Sequence, residues 1–170
     1  MASLIDELID VLDKEEKEYQ DLILLSQEKT PVLLKGDLEK LQKITEAEQI
    51  VIGKINKLEK RRTEVVKDIA LVLNRDEETL KVLDIVTLLE GQKVEQERLL
   101  EVYDKLRETL RKMTSVNEMN KGLVNESLDF IKYNLNLLKS AYQEPETGNY
   151  TKNALNTKHV TGVGVFDAKQ

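Results

Sequence analysis

The spacing of apolar residues in the C-terminal half sets out one long helix over residues 93–142, about fifty residues with no proline and one glycine, Gly122. At 1.5 Å per residue such a helix runs roughly 75 Å, a rod too long for a compact core to surround. Its first half carries a stripe at alternating steps of four and three, Leu99, Tyr103, Leu106, Leu110 and Met113, the signature of a coiled-coil seam. In the same register the stripe turns polar at Asn117 and Asn120, resumes as Val124, Ser127, Ile131 and Asn134, and recovers at Leu138 and Ala141. Two further rows at intervals of seven flank it: Val116, Leu123, Phe130 and Leu137 on one side, Leu128, Leu135 and Tyr142 on the other. On a helical wheel the combined face covers roughly half the circumference, wider than one neighbouring helix requires.

Upstream, Leu4, Leu8, Val11, Leu12, Tyr19, Leu22 and Leu25 form a helical stripe that opens at Ser3, with Asp6 in the position of a capping box. Pro31 predicts a kink, with the helix continuing to about residue 35. Gly36 and Asp37 then read as a stop and a start in tandem, so this helix (3–35) and the next (37–74) fold back as a hairpin. The second helix repeats Ile44, Val51, Leu58, Val65 and Val72 at sevens. Asp76 is placed to cap a shorter, largely apolar helix over 76–90, a buried connector closed by Gly91. The last helix is expected over 92–143. Beyond it, residues 144–170 carry Pro145, Gly148, Gly162 and Gly164 and no helical stripe. Val163 and Val165, alternating with Gly162, Gly164 and Phe166, allow a short strand or an extended docking segment there. The expectation is an all-α, elongated antiparallel bundle over 1–143 followed by an irregular tail.

Composition agrees with long helices: 34% of the 170 residues are charged, and only 4% are aromatic, which leaves a thin core. A net charge of −6 argues against a nucleic-acid binder, whose affinity comes from neutralising phosphates. The one basic cluster, Lys57, Lys60, Arg61 and Arg62, reads as a solvated helix face. With no cysteine, thiol chemistry and disulfides are unavailable. No apolar run approaches a membrane span, and the acidic start MASLIDELIDVLDKEE is unlike a secretory signal. These features fit a soluble cytoplasmic protein.

Catalytic chemistry finds no foothold. A di-metal site in a bundle needs Glu-x-x-His pairs, yet His159 is the single histidine and Asn156 stands three residues before it. Serine or cysteine nucleophiles with a histidine base are missing, glycine-rich phosphate loops are missing, and no carboxylate pair stands out on an apolar wall. Neither enzyme activity, nor a cofactor, nor a metal is expected. The residues that invite a role are the polar ones within the apolar face, Asn117, Asn120, Ser127 and Asn134. In one reading, seam asparagines fix coiled-coil register and partner number. In the other, their amides pair with the backbone of an incoming segment whose side chains pack on Leu123, Val124, Phe130 and Ile131.

The stretch NEMNKGLVNESLDFIKYNLNLL, the loop with Tyr150 after it, the terminus VFDAKQ and the segment KGDLEKLQKITEAEQIVIGKINKLEKRR together resemble the FlgN family of flagellar type III export chaperones. That resemblance spans the whole chain. It implies a small cytoplasmic helical protein, without enzyme activity, that binds the C-terminal segments of hook-filament junction proteins. Such a chaperone keeps its clients unpolymerised and delivers them to the flagellar export gate. It implies client binding by Asn117, Asn120, Leu123, Val124, Ser127, Phe130, Ile131, Asn134 and Leu138, and docking to the gate's cytoplasmic domain by Tyr150. Where the family often has glycine shortly after this tyrosine, the run here is Thr151, Lys152, Asn153, Ala154. The alternative is a structural coiled-coil adaptor that homodimerises through the same face.

Overall fold

A computed structural model describes residues 2–142 apart from Glu90; Tyr150 and the short strand or docking segment allowed near Val163 lie outside the described residues. Four helices follow one another, α1 (Ala2–Lys35), α2 (Leu38–Leu73), α3 (Val82–Leu88) and α4 (Lys93–Tyr142), and no strand occurs among the described residues. The chain divides into two units, Met1–Lys132 and Tyr133–Gln170. The first contains the bundle.

The hairpin between α1 and α2 forms where the sequence placed it. Gly36 takes the left-handed conformation (φ 67°), and the amides of Gly36 and Asp37 donate back to the carbonyls of Leu33 and Val32, closing the helix end. Asp37 then caps α2, its Oδ1 accepting from the Lys40 amide at 3.0 Å. Asn74 ends α2 in the same left-handed way (φ 51°), with Arg75 donating to the Ala70 carbonyl at 2.9 Å. Pro31 is accommodated inside α1, which continues to Lys35.

The connector differs from expectation at its start. Asp76 caps a turn instead of a helix, its Oδ1 accepting from the Glu78 amide at 3.0 Å, and α3 begins only at Val82. There the Asp84 carboxylate accepts from the Lys81 amide at 2.9 Å, so the helix is opened from inside by a residue one turn on. Being seven residues long, α3 covers only one end of the bundle.

Two apolar clusters fill the interior. The larger joins Ile5, Leu8, Ile9 and Leu12 of α1 to Val65 and Ile69 of α2, to Ile85, Val86 and Leu89, and to Leu99 and Leu106 of α4. The smaller gathers Leu22, Val51, Ile55 and Met113. The seam of α2 stops short of its sequence pattern: Ile69 and Ala70 are buried while Val72 is 57% exposed.

Charged groups enter the same interior. Glu15 is fully buried, and Arg62 reaches its Oε2 at 2.6 Å. Arg62 is therefore not part of a merely solvated basic face, and Glu15 is a buried carboxylate that the sequence did not single out. Burial pushes the Glu15 carboxyl up to about 7 even though the Arg62 guanidinium opposes the rise, and the nearby Glu59 adds to it. Glu16, on the next face of α1, accepts from the Thr109 hydroxyl at 2.9 Å and pairs with Lys105 at 3.1 Å, which ties α1 to α4.

Candidate functional site

The buried row of α4 is Leu99, Leu106, Met113 and Asn120, four positions at intervals of seven, joined by Thr109. Asn120 is the last buried residue of the helix among those described. Its Nδ2 donates to the Ser26 carbonyl at 2.7 Å, and its Oδ1 accepts from the Thr30 hydroxyl at 2.7 Å. Ser26 in turn donates to the buried Glu48 at 2.8 Å, and Lys29 pairs with the same carboxylate. Beyond this polar layer the α1–α2 hairpin still buries Val32 and Ile44, but among the described residues of α4 none past Asn120 is buried. Both halves of the Asn120 amide are thus paired with α1 within the fold.

Past Asn120 the helix changes character. Val124, Leu128 and Ile131 follow one another at steps of four and three and are 39%, 48% and 53% exposed. Beside them runs a second row, Met119, Leu123 and Phe130, in which Leu123 is half-buried and Phe130 is 66% exposed. Single exposed leucines are ordinary on a protein surface. Two adjacent apolar rows on one helix are not, because together they leave a continuous strip in water. Met119 is new to this face, and Leu128, read from sequence only as part of a flanking row, joins it. Their signal was present in the spacing, since Met119 stands one turn before Leu123, and Leu128 one turn after Val124.

The remaining polar candidates separate. Asn117 is exposed, while the Ser127 hydroxyl donates back to the Leu123 carbonyl at 2.8 Å and is used locally. In the second unit, taken by itself, Asn134 is half-buried and Leu138 is 55% exposed. Among the described residues no group of His, Cys, Asp or Glu is arranged to hold a metal ion, and no helix is long and apolar enough to cross a membrane.

The class defined by these observations is a helical bundle protein whose last helix presents an apolar strip past Asn120, its last buried residue among those described. The chain belongs to the FlgN family, matching the description "FlgN protein" over residues 1–158. It is also 30% identical over 120 residues to the uncharacterized protein YvyG of Bacillus subtilis (strain 168), covering 71% of each chain. No solved structure matches.

Proposed function

We propose that this protein is a cytoplasmic export chaperone that holds the C-terminal helical segments of hook-filament junction proteins on the face of α4 formed by Leu123, Val124, Leu128, Phe130 and Ile131. Membership of the FlgN family supports the flagellar export role. The observation that carries the choice of face is the water-exposed apolar strip after Asn120. A client helix laid along it would bury side chains that already have one apolar flank and would cover its own polymerisation surface in doing so. Asn117 supplies an amide at the margin of this face, free to pair with a client backbone. For Asn134 and Leu138 the same role rests on the family resemblance, as does gate docking for Tyr150.

The test is a titration of the full chain with a C-terminal helical peptide of a junction protein. Phe130→Asp and Ile131→Asp should each reduce affinity at least a hundredfold. Because both side chains are more than half exposed, unfolding free energy should change by less than about 0.5 kcal/mol. Loss of stability in step with loss of binding would refute the assignment, and a free chain that is a stable dimer through this strip would favour the adaptor reading. Tyr150→Ala should leave the client titration untouched and weaken capture of the complex by the gate's cytoplasmic domain.

A further inference from the structure

The seam of α4 has two rows, and only one is used inside the bundle. Leu99, Leu106 and Met113 are buried, whereas their coiled-coil counterparts Tyr103 and Leu110 are half-buried and 37% exposed. In a two-row seam each row packs into holes on a partner helix, so an open second row marks a missing neighbour. Tyr103 and Leu110 face a trough of about 620 Å³, whose other wall is α2 at Val66 and whose upper end is closed by Leu80 and Val82. α3 occupies the fourth-helix position only at that end, because it stops after seven residues. Below it the trough stays open alongside roughly three turns of α4, from Tyr103 to Thr114.

The charge along this trough is opposite to that of the chain. Five cations line it, Arg62, Lys67, Lys81, Arg107 and Arg111, against one acid, Glu77. Arg62 is committed to Glu15 and Lys67 pairs with Glu77, whereas Lys81, Arg107 and Arg111 take part in no ion pair among the described residues. Arg107 and Arg111 stand one turn apart on α4, which presents two guanidinium groups to carboxylates at the same spacing on an adjacent helix. A protein of net charge −6 thus gathers free cations beside an apolar floor.

We propose that the trough between α2 and α4 is a second docking site, and that its occupant is an amphipathic helix of a partner protein. Its apolar stripe would lie on Tyr103, Leu110 and Val66, and Asp or Glu one turn apart would meet Arg107 and Arg111. The bound helix takes the fourth position of the bundle below α3. This site is separate from the strip after Asn120 and does not rest on the client assignment.

The experiment uses the full chain and two fluorescein-labelled designed helices that share leucines at heptad a and d positions. One carries glutamate on the flanking positions and the other lysine. The glutamate helix should bind at least tenfold more tightly than the lysine helix. The exposed double variant Arg107→Glu/Arg111→Glu should reverse that order with an unchanged melting temperature, and Phe130→Asp should leave both titrations as they were. Equal binding of the two helices, no binding of the glutamate helix, or indifference to the charge reversal would each overturn the proposal. Loss of binding in Phe130→Asp would move the probe to the other face and overturn it as well. Dodecanoate binding without helix binding would replace the peptide occupant by an anionic amphiphile and contradict the proposal.

Discussion

Within α4, residues 99–120 and residues 123–131 carry similar heptad patterns and meet opposite fates. In the first stretch the row Leu99, Leu106, Met113 and Asn120 is buried by α1, α2 and the connector. In the second, the apolar rows continue with no side chain buried and with Phe130 and Ile131 more than half exposed. The difference does not lie in the local sequence, since both stretches have the spacing of a packing face. It lies in the cover: α1, α2 and the connector bury the first stretch, whereas among the described residues of the second none is buried. An apolar pattern therefore states that a face is made to be covered without stating by what.

Three experiments sharpen this comparison. The largest contrast is expected between Leu99→Ala and Leu128→Ala in urea unfolding. Truncating the buried leucine should cost about 2–5 kcal/mol, the usual range for a cavity in a packed core, whereas the exposed one should cost less than about 0.5 kcal/mol. Equal losses would mean that both stretches are core.

Next in size is the buried carboxyl of Glu15. Its pKa lies near 7 in the fold and near 4.5 when the chain unfolds, so between these values the folded state holds a proton that the unfolded state has released. Above pH 7 the native protein carries an ionised, buried carboxylate at a cost on the order of 2 kcal/mol, and that cost is relieved as pH falls from 7 towards 4.5. Glu15→Gln should accordingly raise stability at pH 8, change it little at pH 5, and flatten the difference between the two. A variant less stable at pH 8 than the parent would mean that the Arg62 pair outweighs the burial of the charge.

Asn120→Ala should cost about 1–2 kcal/mol, because it removes two hydrogen bonds to α1 at the end of the bundle, whereas Asn117→Ala should be neutral in stability. Thermal unfolding of the pair checks this. If the two variants behave alike, the polar layer contributes nothing that water does not replace.

Much of this fold was legible in the sequence because its signals are local. Gly36 followed by Asp37 allows one conformation readily and specifies a helix end and a helix start, and the sevens of α2 and α4 define their inner faces without knowledge of the partner. Asp76 misled for a related reason: an aspartate caps a turn and a helix with the same hydrogen bond, and only the residues after it decide whether the turn propagates. What could not be read were the pairings across the chain. The role of Asn120 depends on Ser26 and Thr30, ninety or more residues earlier, and that of Arg62 on a glutamate forty-seven residues away. The open row of Tyr103 and Leu110 appears only once the brevity of α3 is known.

The central claim is that one continuous helix is bundle before Asn120 and awaits a partner after Leu123. Hydrogen–deuterium exchange along α4, in the free chain and with a saturating junction-protein peptide, tests it most directly. The account predicts slow exchange over residues 99–120 in both states, and fast exchange over residues 123–131 that becomes slow only when the peptide is bound. Equal protection of the two stretches in the free chain, or peptide-induced protection confined to α1 and α2, would contradict it.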